Sequence, residues 1–353
     1  MNKKSIVMIG PFPPPIGGIS IHTSRLVSEI NKKYKIFKID TSRNRIIQGV
    51  ILLKLLILSK VKLSTFIVHN HVFKLWSNSI IVFLCKFFGV KYIQTIHSFR
   101  INHDELGSKE IKLIKFIIRN TYKTIAVSNK IREDLLQFDP SLSEKITVIP
   151  AFIPYENKQV SSKKYLDDLQ ISEFLKSHEV ILCANAYKIV FYNNEDLYGL
   201  DLCIDLMGKI KQLDFNVGFI FMLPQISNSE YYNNLLEKIR ELGLEQDFLF
   251  INKEVDLVPL FEYVDIFLRP TNTDGDALSI RESLYSGTPC IASDVVDRPL
   301  GTVTFKNRNV VDLYEKVQNV IINLEEEKAK VRNFSNTHEE FIDKYYRLYE
   351  KCN

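Results

Sequence analysis

The sequence predicts an α/β protein made of two doubly wound parallel sheets in tandem, and three observations carry that expectation. A length of 353 residues exceeds one ordinary core and suits two domains of roughly 150 to 180 residues each. An apolar content of 46% with 25% charged residues is that of a globular protein. Short apolar runs separated by stretches of helical periodicity then recur six times in each half, the signature of βαβ units.

In the first half the strand-like runs are Ser5 to Ile9, Lys35 to Ile39, Thr65 to Val68, Tyr92 to Ile96, Thr124 to Val127 and Ile146 to Ile149. In the second they are Val180 to Cys183, Asn216 to Met222, Phe248 to Ile251, Val264 to Leu268, Pro289 to Ala292 and Val303 to Phe305. Parallel sheets built this way bind ligands at the carboxyl ends of their strands. Pro150 to Lys176, with Pro154, Ser161 and Ser162 in a polar run, reads as the linker. The last helical stretch, Thr337 to Lys351, is rich in aromatics (Phe341, Tyr345, Tyr346, Tyr349) and must pack on one domain or the other.

Charge divides the chain more sharply than its net +4 suggests. Residues 1–150 hold 24 basic against 9 acidic residues, a net +15, which leaves 22 against 33 and a net −11 for the rest. No acid lies between Asp40 and Asp104, so the first domain should attract anions. Five scattered cysteines without a Cys-x-x-Cys pair point to a reducing compartment and away from a disulfide framework or structural zinc. Lys3-Lys4 leads straight into the first strand with no signal peptide pattern, so the expectation is a protein that stays in the cytoplasm.

Residues Arg45 to Lys62 form the most apolar segment, but Gln48 and its lysines interrupt it short of the roughly 20 apolar residues of a membrane span. It reads either as a core helix or as an interfacial helix whose basic residues each contribute around 1 kcal/mol near anionic lipid. Lys109, Lys112, Lys115, Arg119 and Lys123 extend the basic character. Nucleic acid is not the expected partner, because no RNA or DNA module is present and the aromatics sit inside apolar runs.

Gly17 and Gly18 end a proline-rich turn after the first strand, where backbone amides and a helix N-terminus beginning near Ile19 favour an anion. His97 ends the fourth strand, and His69 and His71 follow the third. These three histidines lack a nearby carboxylate or an i,i+4 pair, so no metal is expected.

The densest chemistry lies in Thr273 to Ser293. Ser279 followed by Glu282 has the form of a capping box, which starts a helix near Ile280 and leaves Asp274 in the loop before it. Gly287 and Pro289 end that helix. A helix N-terminus offers unpaired N–H groups and about half a positive charge to a diphosphate, while flanking carboxylates accept hydrogen bonds from vicinal diols. Diphosphate with diols on either side describes a nucleotide sugar.

Asp274-x7-Glu282 followed by Ser-Gly-Thr-Pro-Cys-Ile-Ala-Ser293 resembles the donor signature of the retaining family 4 glycosyltransferases, where the first acid is usually Glu. The resemblance runs over nearly the whole chain and implies the GT-B fold, with two Rossmann-like domains facing a cleft. It implies an acceptor domain over 1–155, a nucleotide-sugar domain over 156–335, and a terminal helix over 336–353 crossing back to the first domain. It also implies that Asp274 and His97 meet the transferred sugar, that Glu282 meets the ribose, and that Gly17 and Gly18 face the cleft. Gly275, Asp276, Ala277 and Leu278 then line the diphosphate, with Asn185 and Tyr198 nearby. Asn252 and Lys253 lie where the family grips the base through main-chain groups.

One departure stands out. Most members hold the diphosphate with an Arg and a Lys where this chain has Ala186 and Tyr198, so other cations must serve. Arg281 and Arg269 come first in the sequence reading, then Arg298 and Lys188. The resemblance implies retaining transfer of a hexosyl or N-acetylhexosaminyl group, without cofactor or metal, from a UDP-sugar ahead of a GDP-sugar. The basic first domain favours a polyprenyl-diphosphate-linked saccharide acceptor in surface polysaccharide synthesis, met at the inner face of an anionic membrane. A nonhydrolysing sugar-nucleotide epimerase of the same fold and a catalytically silent membrane-assembly protein are the alternatives.

Overall fold

The computed structural model describes residues 5–14, 17–43, 45–60, 66–99, 106–154, 167–211, 215–334 and 339–352. The chain forms two compact units, Met1–Ile153 together with His338–Asn353, and Pro154–Thr337.

The first unit is a six-stranded sheet of β1 (Ser5–Gly10), β2 (Lys35–Asp40), β3 (Phe66–Asn70), β4 (Tyr92–Ile96), β5 (Lys123–Ala126) and β6 (Ile146–Val148). The strands are parallel and ordered β2-β1-β3-β4-β5-β6. Their apolar runs are continuous because both faces are covered. Ile6, Met8, Ile67 and Ile93 pack under α1 (Gly18–Ile30), whereas Val7, Ile9, Val68 and Tyr92 pack under α2 (Arg45–Lys60) and α3 (Leu75–Phe88). Helices α4 (Ser108–Asn120) and α5 (Asn129–Phe138) close the far end.

The order reverses between β1 and β3, which makes their carboxyl ends a switch point. A Cβ on Gly10 there would lie 2.9 Å from Thr23 Cγ2 and 3.3 Å from His71 Cβ. The absent side chain is what lets α1 and the strand after β3 close on the end of β1.

The second unit repeats the plan. After α6 (Leu169–Ser177) come β7 (Val180–Asn185), the two-residue strands β8 (Phe191–Tyr192) and β9 (Glu195–Asp196), α7 (Leu200–Ile210), β10 (Val217–Met222), α8 (Ser229–Glu241) and β11 (Phe248–Ile251). Then follow β12 (Ile266–Arg269), α9 (Leu278–Ser286), β13 (Cys290–Ser293), β14 (Thr302–Phe305), α10 (Val310–Ile322) and α11 (Leu324–Phe334). The six long strands are parallel, in the order β11-β10-β7-β12-β13-β14, with the switch between β7 and β12.

All twelve strand-like runs in the sequence are strands, with ends displaced by two residues at most. The β8–β9 hairpin has no such signal. Its strands are two residues long, and Asn193 and Asn194 turn it at φ of 52° and 61°. The linker assigned to Pro150 to Lys176 also needs correction, because Leu169–Ser177 is a helix capped by Asp168, whose side chain accepts from Ile171 N. Residues 155–166 of that linker lie outside the described residues.

The terminal helix α12 (Glu339–Lys351) belongs to the first unit. It buries Tyr345, Leu348 and Tyr349 against Ile6, Met8, Leu26 and Ile30, and Tyr346 donates to the Glu29 carbonyl at 3.0 Å. The Tyr349 hydroxyl meets His69 Nδ1 at 2.7 Å, and His69 Nε2 meets Thr95 Oγ1 at 2.7 Å. His69 thus ties α12 to the sheet through Nδ1 and is held to β4 through Nε2.

Candidate functional site

In the second unit the carboxyl ends of β7 and β12 meet at Asn185 and Arg269. Arg269 Nη1 donates to the Asn185 carbonyl at 3.4 Å, and its guanidinium stacks on the Tyr198 ring at 5.2 Å. Asp274, in the loop after β12, is the hub. Its Oδ2 accepts from Arg269 Nε at 3.3 Å, Thr271 Oγ1 at 3.2 Å and Arg298 Nη1 at 3.0 Å.

Arg298 is fixed in turn. Its Nε donates to the Ser293 carbonyl at 2.8 Å and its Nη2 to Ser293 Oγ at 3.0 Å, at the end of β13. The Asp274 and Arg298 side chains are 9% and 3% exposed. Burial by itself would raise the Asp274 pKa, but Arg269 and Arg298 prevail and hold it at about 2. Two guanidinium groups share one carboxylate, so the cluster carries one net positive charge.

Helix α9 starts beside this cluster, and earlier than the sequence suggests. Its N-cap is Ala277, with no side-chain cap, so Ser279 and Glu282 do not form the capping box expected of them. Both lie inside the helix, 8% and 5% exposed. The Ala277 side chain cannot accept from the first-turn amides, although its carbonyl takes the Ile280 amide at 3.2 Å, and the tip carries the positive end of the helix dipole. Gly287 ends the helix at φ 83°, as the sequence requires.

Gly275 and Asp276 complete the loop. Gly275 N donates to Asp274 Oδ1 at 3.1 Å, while Asp276 takes Arg281 Nε through both oxygens at 2.8 and 2.9 Å. Arg281 thus has its charge met by Asp276, which shifts the cationic role toward Arg269 and Arg298. Lys188 is exposed, on a bridge to Gln225.

Gly199 lets the start of α7 come close to this region. It sits at φ 68°, and a Cβ there would lie 2.4 Å from the Pro270 carbonyl oxygen, one residue beyond β12. Nearby, Asp196 accepts from Tyr198 N at 2.9 Å and Tyr231 Oη at 3.1 Å, and burial, then Asp201, push its pKa up to about 6.

Other sequence candidates stand apart. Asn252 and Lys253 follow β11, two strands from β7, beside a cavity of about 230 Å3. Asn252 donates to the Leu223 carbonyl at 3.0 Å, and Lys253 pairs with Asp168. In the first unit Gly17 is the N-cap of α1, where Ser20 Oγ accepts from Gly17 N and donates to its carbonyl, both at 2.9 Å. A Cβ on Gly18 would meet nothing within 4 Å. His97 Nε2 lies 3.1 Å from His71 Nδ1.

Sequence reasoning did not single out Thr271, Ser293 or His22. The first two act through hydroxyls at strand ends, which carry no motif. His22 faces the His71 and His97 rings, at centroid distances of 5.4 and 5.1 Å, from a helix far away in sequence.

Comparison with known proteins accords with this geometry. The profile described as Glycosyltransferase Family 4 matches residues 16–157, and that of Glycosyl transferases group 1 matches residues 158–341. No curated protein matches the chain in sequence. Among solved structures, Anabaena Alr3699/HepE in complex with UDP aligns over 98% of this chain and 100% of its own, at 11% identity and a TM-score of 0.73. A glycosyltransferase from Rickettsia africae ESF-5 aligns over 100% and 99%, at 15% identity and a TM-score of 0.71. The E. coli trehalose-6-phosphate structure bound with UDP-2-fluoro glucose aligns over 98% of each chain, at 10% identity and a TM-score of 0.66. These likenesses establish the GT-B fold, and the profile covering more than half of the sequence establishes membership: the chain belongs to the family 4, group 1 glycosyltransferases.

Proposed function

We propose that the protein transfers a hexosyl or N-acetylhexosaminyl group from a nucleotide sugar, UDP-linked ahead of GDP-linked, to a saccharide acceptor with retention of configuration. The observation that carries the donor half is the net positive Arg269–Asp274–Arg298 cluster beside the uncapped tip of α9. A diphosphate fits a helix N-terminus at the switch point of a doubly wound sheet. The UDP and UDP-2-fluoro glucose held by structural relatives support the same class of donor.

In this reading Arg298 is too deeply buried to touch the donor and acts through its field and by holding Asp274. Asp274 Oδ2 is filled by three donors, while among the described residues Oδ1 takes only the Gly275 amide and keeps lone-pair capacity for a sugar hydroxyl. Glu282 is assigned the ribose hydroxyls and His97 the transferred sugar. Asn185, Tyr198 and the amides of Gly275 to Leu278 surround the diphosphate, Gly17 and Gly18 offer amides from the first unit, and Asn252 and Lys253 offer main-chain groups to the base. Preorganised dipoles and cations stabilise the leaving diphosphate, and its own oxygen takes the acceptor proton, so no enzyme base and no donor-bound metal is assigned.

For the acceptor we propose a polyprenyl-diphosphate-linked saccharide of surface polysaccharide synthesis, met at the inner face of an anionic membrane. Trp76, Ile80, Phe83 and Phe87 make one stripe along α3 and are 59 to 71% exposed. Ile47, Val50, Ile51 and Ile57 are exposed along α2, whose deeply buried side chains among the described residues are Leu52 and Leu56. An apolar cavity of about 350 Å3, lined by Leu52, Leu53, Ile80 and Leu84, joins the two helices, and exposed Lys54, Lys74 and Lys86 flank them. No helix among the described residues is long and apolar enough to cross a membrane.

A turnover screen of UDP- and GDP-sugars with membrane lipid extract tests the whole reading. One preferred donor, nucleotide release only with acceptor, and loss of turnover in Asp274→Ala and His97→Ala are expected. Turnover of the donor without acceptor would make the protein an epimerase, and no donor binding at all would make it a membrane-assembly protein.

A further inference from the structure

Position 49 interrupts the buried face of α2. Leu52 and Leu56, on that face, are 6% and 0% exposed, so helical spacing calls for a bulky apolar side chain at 49 as well. The chain has Gly49 instead. It lies inside the helix, and a Cβ built on it would meet nothing within 4 Å. Neither a left-handed turn nor a close approach requires glycine there, and glycine in a helix interior is unfavourable. What the missing side chain does is keep open the mouth of the cavity between α2 and α3, which Gly49 lines.

That cavity, of about 350 Å3, reaches the carboxyl ends of the first sheet. Ile9 on β1, Ile39 on β2 and Asn70 on β3 form its floor, all three buried, beside the switch point where a doubly wound sheet takes its ligands. Leu53 from α2 and Ile80 from α3 stand at the mouth, 42% and 60% exposed.

The wall suits an apolar occupant. Its two buried amides are already paired within the protein. Asn70 donates to the Tyr92 hydroxyl at 2.9 Å and accepts from Val72 N at 3.0 Å. Asn78 donates to the Val72 carbonyl at 2.9 Å and to Gln94 Oε1 at 2.6 Å, and accepts from Lys74 N at 3.2 Å. Aliphatic side chains make most of the remaining wall, and the volume falls in the range of about 300 to 1,000 Å3 common for ligand sites. Among the described lining residues there is no acid, and the exposed Lys74 carries the charge. A cation at the rim of an apolar cavity complements an apolar chain that ends in a phosphate.

We propose that this cavity holds the phosphate-proximal end of an isoprenoid chain, with Lys74 meeting the phosphate. The proposal rests on the lipid-linked acceptor reading and gives the carrier of that acceptor its place on the first unit. A helix of a second copy, about 10 Å across, is too wide for such a cavity. A bilayer acyl chain has no reason to reach the strand ends, whereas a carrier chain held there brings its saccharide to the edge of the sheet where ligands bind.

The test is calorimetric titration of the full-length protein with farnesyl diphosphate below its micelle concentration, compared with inorganic diphosphate and a short-chain phosphatidylglycerol. Farnesyl diphosphate should bind at least about 100-fold tighter than inorganic diphosphate, since each buried methylene is worth about fourfold. Gly49→Leu covers the mouth with a better helix former and should weaken that binding by about tenfold or more. If it unfolds the unit, as circular dichroism would report, Leu53→Asp, at a half-exposed position of the mouth, carries the same expectation. Lys74→Gln should weaken farnesyl diphosphate and leave farnesol, which has no phosphate, unchanged. No binding of farnesyl diphosphate, or affinity unchanged in the folded variants, overturns the proposal. Phosphatidylglycerol that binds as tightly and responds to Gly49→Leu in the same way also overturns it, by giving the cavity to a bilayer lipid. Binding and not transfer is read, so the two readings fail separately. Failure here beside lipid-dependent turnover in the extract screen removes the cavity alone, whereas cavity binding beside turnover on a lipid-free saccharide upholds the site and corrects the acceptor.

Discussion

Arg298 donates to Asp274 at 3.0 Å across 24 positions of sequence, which makes a residue beyond β13 part of the loop after β12. Arg298→Ala leaves a buried carboxylate with one cation fewer and should cost about 3 kcal/mol, lowering the melting temperature of the second unit by roughly 6 to 12 °C. Arg298→Lys should recover only part, since an ammonium cannot reach Ser293 and Asp274 as the planar fork does. Calorimetry checks both, and an unchanged transition in Arg298→Ala would remove the pair from the stability of the unit.

Gly199→Ala puts a Cβ against the Pro270 carbonyl at a positive φ, where no side chain fits without a shift. A loss of at least about 2 kcal/mol is expected in thermal unfolding. Donor affinity should fall as well, because Pro270 adjoins Arg269, and equilibrium binding of a UDP-sugar reads that second effect.

Acid should open the first unit before the second. His69 is held at about 3 and His97 at about 4 by burial, His22 and His71 lie well below 6.5, and all four protonate in the unfolded chain near 6.5. Their folded values are depressed, so the unfolded state binds more protons. Stability is complete above about pH 6.5 and is lost as pH falls toward 4, with a slope that reaches several kcal/mol per pH unit. Asp274, held at about 2, keeps its contribution until pH falls below about 4. Asp196, raised to about 6, works in the opposite sense and favours the second unit as pH falls. Hydrogen exchange between pH 7 and 5 should show peptides of the first unit losing protection first.

Replacing Trp76, Ile80, Phe83 and Phe87 together by serine removes the apolar stripe of α3 from a surface already in contact with water, so folding should be unaffected. Sedimentation with vesicles rich in anionic lipid should fall by about two orders of magnitude. Binding that persists, or that neutral vesicles match, would count against membrane docking through this face.

Periodicity determined the strands and helices of both units, because it is a local property: each apolar run records that both faces of a parallel strand are covered. The Thr273 to Ser293 segment, with Gly287 at its helix end, was equally legible, and so was the family. Where α9 begins was not, since Ser279 and Glu282 have the spacing of a cap yet are drawn into the helix by burial. Which arginine answers Asp274, which histidine completes the cluster with His71 and His97, and that Tyr349 reaches His69 from 280 positions away were decided only by the fold. Ion pairs and buried imidazole contacts depend on which strand ends the sheet order brings together, and strand order is set by packing over the whole unit, not by any residue's neighbours in sequence.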